Sequence, residues 1–264
     1  MNFKDFDKKM RLYEMSLDQY VTPDTNIVVR LDGRNFSNLT EKEFQKPFDA
    51  SFHEMMKTIT KSAMQAGFRI IYGYTQSDEI SLLFHPEENG FGRKTRKINS
   101  TLAGVASAIA TLYLNNINTH PEEKIIATFD SRVVPLPNKD TVIDYFAWRQ
   151  EDARRNALNA YCYWLMRQNG KSKGEAASVL KHKGNTEKMT LLSEEFNIDW
   201  ADAEKVPIWQ YNGTAFYYQN KEIDGYNPVT NETVKTMRNV LSENEALKCG
   251  EGYRMFLTET LNIK

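Results

Sequence analysis

Residues 68–84 read FRIIYGYTQSDEISLLF. FRIIYGY and EISLLF are β-branched and aromatic runs, and the short polar TQSD between them reads as a hairpin loop. Upstream, NIVVRLDGRNF at 26–36 holds a short buried strand over 27–31 that ends in an acid, Asp32, and then a glycine. Between the two lies 48–66, with Phe48, Phe52, Met55, Met56, Ile59 and Ala63 at helical spacing and Gly67 as a stop. Downstream, a helix over about 93–116, basic at its start and Ala-rich afterwards, leads to a strand at about 125–134. The order β-α-β-β-α-β is the split βαβ pattern, so the fold class expected is α+β with a ferredoxin-like antiparallel sheet.

The second half reads as mainly helical. A long helix is expected over 139–168, behind Pro137 and before QNG, with further helices over about 172–183 and 186–196. VPIWQYNGTAFYY reads as a hairpin turning at Asn212-Gly213. The polar last 40 residues have little pattern. The expected division is 1–136 and 137–264, two regions packed together.

A chain of 264 residues with 41% hydrophobic and 26% charged residues can bury a sizeable core. Its 34 basic and 35 acidic side chains give a net charge of -1, which neither demands nor excludes a nucleic-acid partner, because local patches decide that. Cys162 and Cys249 form no Cys-x-x-Cys pair, and the four histidines show no ligand spacing, so a zinc ribbon or disulfide framework is not expected. His53, His85, His120 and His182 read as structural or surface residues. No run reaches the roughly 20 apolar residues of a membrane span. The first residues, MNFKDFDKKMRLYE, lack the apolar stretch of a signal peptide. A cytoplasmic location, with no membrane partner, is the expectation.

The topology brings two acids together. The first and third strands of a ferredoxin-like sheet are antiparallel neighbours, so the end of the first lies beside the start of the third. Asp32 therefore meets Asp78, 46 positions away. Two carboxylates at one sheet end repel unless a cation lies between them. Hard oxygen ligands suit Mg²⁺, which takes its remaining ligands from water and substrate phosphates. The Gly33 carbonyl can add an oxygen, and the amides of Arg34, Asn35 and Phe36 can face phosphate. Two such ions would stabilise attacking and leaving oxygens in phosphoryl transfer. Taken singly, Asp-Gly after a strand is more often an ordinary turn and Ser-Asp-Glu in a hairpin more often simply polar; it is their meeting at one sheet corner that points to a metal.

These stretches carry a resemblance. VVRLDGRNFSNL and YGYTQSDEISLLF resemble the two carboxylate motifs of the tRNA-His guanylyltransferase family. FDSRVV followed by DYFAWRQEDARRNALNAYCYW, then EEFNIDW and VPIWQ, resemble its later blocks, so that the likeness runs in order over about 26–210. It implies a catalytic region (1–136) similar to a polymerase palm, and 3′–5′ addition of nucleotides to a tRNA 5′ end. The implied chemistry uses two Mg²⁺ ions: ATP adenylylates the 5′ phosphate, then the 3′-hydroxyl of GTP or another nucleoside triphosphate displaces AMP. Carried over position by position, it puts Asp32, the Gly33 carbonyl and Asp78 on the metals, with Glu79 beside them on the opposite sheet face from Asp78. Ser77, Lys46 and Arg30 match residues near the triphosphate or the motif. GRKTRKINS reads either as a solvated basic face or as a phosphate site at a helix start; the resemblance favours phosphate contact for Arg93 and Lys97, and Lys188 and Asn197 match residues linked to triphosphate or RNA. A homotetramer acting on tRNA is implied as well.

The match has gaps. Where histidine-tRNA-specific eukaryotic members carry His-Ile-Asn-Asn, this chain has Arg154, Arg155, Asn156 and Ala157, and a family histidine after DGRNF is Ser37. The chain is more similar to the bacterial and archaeal branch, which implies templated repair of 5′-truncated tRNA, with guanylate addition to tRNA-His as the other task. Arg154 and Arg155 read as a solvated helix face or as phosphate contacts. Trp148, Tyr161, Tyr163 and Trp164 read as core or interface before a stacking platform. A nucleotidyl cyclase and an RNA-binding protein with an inactive palm are the rival functions.

Overall fold

The computed structural model describes residues 2–120, 122–227 and 231–261. The expected βαββαβ order is present: β1 (Asn26–Gly33), a short α2 (Phe36–Glu43), α3 (Ala50–Met64), β2 (Ile70–Gln76), β3 (Glu79–Phe84), α4 (Thr95–Ile117) and β4 (Phe129–Leu136). An N-terminal helix, α1 (Phe3–Met15), precedes them and buries no residue. The long helix α5 (Lys139–Gln168) follows, then α6 (Lys173–Leu180), α7 (Asn185–Phe196), α8 (Ile208–Asn212), β5 (Thr214–Asn227), β6 (Glu232–Asn244) and α9 (Glu251–Thr260). Local chemistry sets the starts of the two helices that flank the site. The Asp49 carboxylate accepts from the Ser51 and Phe52 amides at the head of α3, and Asn138 Oδ1 accepts from the Thr141 amide at the head of α5.

The sheet has the order β4-β1-β3-β2-β5-β6, every pair antiparallel. Strand alternation sends Ile27, Val29 and Leu31 to one face, against Met55 and Ile59 of α3 and Leu102 and Ala106 of α4. Val28 and Leu83 go to the other face, against Val142 and Phe146 of α5 and Tyr253 and Leu257 of α9. Arg30 and Asp32 continue the Val28 series and so share the α5 face. The second half of α5 packs Leu158, Cys162 and Met166 against Ala176 of α6 and Leu191 and Leu192 of α7.

The structure departs from the sequence reading in three places. No hairpin turns at Asn212-Gly213: residues 208–212 form α8, whose Asn212 is buried, and the strand starts after it. Gly213 has φ +71, and a Cβ there would lie 2.7 Å from the Thr75 carbonyl, so the glycine serves a close approach to β2 rather than a two-residue turn. The polar tail is ordered secondary structure: β5, β6 and α9. Beyond Tyr217, β5 pairs with β6 alone, so the ribbon has solvent on both faces and no alternation to read. The fourth strand also starts later than 125, because the amides of Ile125 and Ala127 bond Asn115 and Thr111 of α4 instead of a strand.

Candidate active site

The two acids meet as the topology requires. The Gly33 N–H donates to the Asp78 carbonyl at 3.0 Å, which fixes the end of β1 against the turn before β3. Asp32 stands opposite Glu79 on one side and opposite Asp130 on the other. Gly33 is needed for space: a Cβ would lie 2.5 Å from the Phe36 ring, which is buried and edge-on to Phe129.

The carboxyls of Asp32 and Asp78 are both raised above the ordinary carboxylate range. For Asp32 burial is the main cause and the Asp130 charge adds to it. For Asp78 burial again leads, and the Asp32 charge raises it further against the Ser77 hydroxyl and Lys46. The Asp32 charge is felt at Asp78 and the Asp130 charge at Asp32, and a cation bound at this corner would oppose both. The donors are hard oxygens. Among the described residues no three His, Cys, Asp or Glu side chains converge as a cation cage. Two carboxylates plus the Gly33 carbonyl therefore fit an ion that completes its shell with water and phosphate, the habit of Mg²⁺.

Glu79 has a different task. Both of its oxygens are held by Arg149 of α5, at 2.7 and 2.9 Å, with Arg30 3.8 Å away. Burial pushes the Glu79 carboxyl up and works against the Arg149 charge, but the paired guanidinium is net raised, and this geometry keeps the pair ionised. Arg149 also donates to Asp152 at 2.9 Å. Glu79 thus clamps α5 onto the sheet beside Asp32, with both oxygens bonded to Arg149 and Arg30 as its second counterion.

A cavity of about 350 Å³ opens from Asp78 and Ser77 between α2, α3 and α5. Phe44, Phe48, Phe52, Trp164 and Trp209 supply apolar walls, and Lys46 stands among them. Lys46 Nζ donates to Thr40 Oγ1 at 2.6 Å and lies 5.4 Å from the Trp164 ring centre. Burial lowers its pKa, against the charges of Glu41 and Asp78. Ser77, at φ +49, donates to Asp78 Oδ1 at 3.1 Å. Asn35, at φ +62, leads into α2 without any side-chain cap, so the first-turn amides, Phe36 included, start beside Gly33 as donors for an anion. The Arg34 amide is not among them, because it bonds the Thr128 carbonyl at 2.8 Å.

Four expected site residues lie elsewhere. Arg93 is buried at the opposite end of β1, its guanidinium on the Thr25 carbonyl at 2.5 Å, about 23 Å along the strand from Asp32 at 3.3 Å per residue. Lys97 is in the first turn of α4, near Phe91, at that same far end. Lys188 on α7 packs by its carbonyl against Cys162 Sγ at 3.5 Å, and Asn197 closes α7 at φ +53 while its carbonyl accepts from Lys205. Neither lines the cavity. Arg154 bonds Asn212 Oδ1, whereas Arg155 is exposed.

Sequence reasoning missed three contributors. Asp130 belongs to the corner, and the strand order that paired Asp32 with Asp78 places it there too. Arg149 lies within the quoted WRQ block. His53, read from the sequence as structural or surface, lines the cavity, stacked on Trp209 at 4.1 Å with Nε2 within 3.3 Å of Glu245 and Thr214.

Comparison with known proteins agrees with this geometry. The tRNAHis guanylyltransferase family model matches residues 7–137, and the Thg1 C terminal domain matches 140–249. A tRNA(His) guanylyltransferase of Debaryomyces hansenii is 33% identical over 72% of this chain and 73% of its own length. A probable human counterpart is 33% identical over 73% of this chain and 64% of its own. Two Arabidopsis thaliana relatives are 32% identical, and the chain spans about a third of their length. A solved bacterial tRNA(HIS) guanylyltransferase-like protein in complex with ATP shares the fold, with a TM-score of 0.74 and 24% identity over 97% of this chain and 99% of its own. The Saccharomyces cerevisiae tRNA(His) guanylyltransferase structure has a TM-score of 0.68 and 26% identity, over 77% and 90%. With both family regions matched in order and the paired acids at the expected corner, the chain belongs to the tRNAHis guanylyltransferase family.

Proposed function

We propose that this chain is a nucleotidyltransferase that adds nucleotides in the 3′–5′ direction to the 5′ end of tRNA, and that its task is templated repair of 5′-truncated tRNA. The observation that carries the reading is the corner itself: Asp32 and Asp78 on adjacent strand ends, with Asp78 lining an aromatic cavity of nucleotide size that holds Lys46. The substrates are ATP, for 5′-adenylylation, and GTP or another nucleoside triphosphate for the transfer. The cavity walls receive a base, while Lys46, Ser77 and the open amides of α2 face the phosphates. Asp32, Asp78 and the Gly33 carbonyl would hold two Mg²⁺ ions, which when bound neutralise phosphate charge and stabilise the attacking and leaving oxygens. Glu79 and Arg149 hold α5 in place, so that the cavity wall and the acids keep their spacing. Base pairing with the opposite strand of the acceptor stem selects the incoming nucleotide, which relieves the protein of reading it. Ser37 and the Arg154–Ala157 stretch, in place of the eukaryotic residues, support repair over histidine-tRNA specificity.

A homotetramer and a cytoplasmic location belong to the same proposal. No helix among the described residues is long and apolar enough to cross a membrane. The test is incubation with Mg²⁺, all four nucleotides and 5′-truncated tRNAs that differ in the base opposite the missing position. Products that track the template base are expected. RNA that binds and never lengthens would refute the reading, and conversion of ATP alone would favour a cyclase.

A further inference from the structure

Two substrates must meet at the acids, and the cavity accounts for one side only. Asp78 lines it, whereas Asp32 does not. Asp32 shares the α5 face of the sheet with Arg30 and with the β4 residues opposite them, Asp130 and Arg132, both exposed. β4 is the sheet edge. The second substrate therefore has a route over the β4–β1 edge, along the flank of α5 that carries Tyr145 and Arg149.

One aromatic side chain stands on that flank uncovered. Trp148 is 54% exposed, while Tyr161, further along α5, is buried. The indole is nevertheless held. The Arg149 guanidinium lies 4.3 Å from its ring centre, and Tyr145 meets it edge-on at 5.7 Å. Arg149 is itself pinned by both oxygens of Glu79, the residue paired with Asp32. A rigid, solvent-facing ring tied by two contacts to the acidic corner has no role in the core. Toward the strand edge Arg132 and Arg30 stand in register, balancing Asp130 and Asp32. An aromatic face beside arginines suits a nucleobase attached to phosphate.

We propose that Trp148 is a stacking platform for the terminal base of the RNA substrate, holding its 5′ end over Asp32 while the nucleotide occupies the cavity. This rests on the nucleotidyltransferase reading above and adds which residue receives the RNA. Arg149 acts through Trp148 and Glu79 as a positioning residue and touches no substrate.

The test compares wild type, Trp148→Ala and Trp148→Phe, each checked by circular dichroism for folding. Loss of a stacked base corresponds to about a 5- to 150-fold effect on RNA affinity. The expected result is a rise of that size in the KM for 5′-truncated tRNA in W148A, recovery of most of it in W148F, and unchanged binding of a fluorescent ATP analogue without RNA. An unchanged KM for RNA overturns the proposal, as does an equal loss of ATP binding. Gel filtration adds a further check: if W148A lowers the oligomeric state and leaves RNA binding intact, the indole is a protein interface and the platform is refuted. Filter binding of the same tRNA separates the two readings. Wild type that binds RNA without extending it refutes the transferase reading, while weaker binding by W148A still supports the platform and equal binding overturns it.

Discussion

Arg149→Met removes one half of a buried ion pair and leaves the other half behind. The side chains of Arg149 and Glu79 are 5% and 8% exposed, joined by two hydrogen bonds under 3 Å. Stranding a buried carboxylate costs about 3–5 kcal/mol. Arg30, 3.8 Å from Glu79 Oε2, screens part of that, so the lower end, about 3 kcal/mol, is expected. Glu79→Leu strands Arg149 in turn, although Asp152 still accepts one of its hydrogen bonds, and it should cost a similar or smaller amount. The double variant, Glu79→Leu with Arg149→Met, leaves neither charge and should be at least about 2 kcal/mol better than the sum of the singles. The assay is urea unfolding without nucleotide and with chelator, so that ligand binding does not contribute. Far-UV circular dichroism is the signal, because indole fluorescence responds directly to Arg149 above Trp148. If the two changes add to within about 0.5 kcal/mol, the carboxylate and guanidinium are independently solvated and the clamp between α5 and the sheet does not exist.

Four further outcomes follow from the same geometry. Asp78→Asn should lower templated extension of truncated tRNA by at least about 100-fold with tRNA binding retained, and extension within threefold of wild type would remove Asp78 from the metal set. Lys46→Ala takes a half-buried charge out of the cavity and should weaken binding of a fluorescent ATP analogue about tenfold or more, whereas an unchanged Kd would exclude Lys46 from the triphosphate site. Gly33→Ala drives a methyl to 2.5 Å from the Phe36 ring and should cost about 1–3 kcal/mol in urea, part of it recovered by Phe36→Leu; no loss would mean that Phe36 moves freely. Lys57 is buried among Glu54, Glu243 and Glu245. Glu243 is lowered chiefly by Lys61, with Lys57 adding to it, and Glu245 is lowered by its Lys57 bond against its own burial. Carboxyls held below 4.5 contribute stability that is present above that pH and lost as pH falls through their folded values. Lys57→Met should therefore flatten the fall in urea midpoint between about pH 5 and 3.5, and parallel wild-type and variant curves would show that the cluster is not coupled.

The corner was legible because strand ends are marked by chemistry and paired by topology. VVRLDG ends on an acid, SDE begins the strand that must lie beside it, and the register bears this out. The same logic, carried one strand further, leads to Asp130 at the start of β4. Arg149 was hidden because it occupies a core position of α5, in line with Val142, Phe146 and Ala153, and an arginine there reads as surface until its buried partner is known. The β5–β6 ribbon carried no signal because strand patterning reports a difference between two faces, and this ribbon has the same solvent on both.

Arg93 and Lys97 show why composition misleads where topology decides. A basic helix start is a sound anion site in isolation, and GRKTRKINS has the right residues. Three of its cations are nevertheless engaged at the far end of the molecule: Lys94 and Arg96 both bond Asp18, at 2.7 and 2.6 Å, and Arg93 holds Thr25. In a βαββαβ fold β3 runs away from the corner, so the helix that follows it must begin at the other end. The acids and the basic run are then separated by a full strand length within one chain. The phosphate groups that Asp32 and Asp78 would position are left to the amides of α2, to Ser77 and to Lys46, all of which enter from the elements that start where β1 and β2 stop.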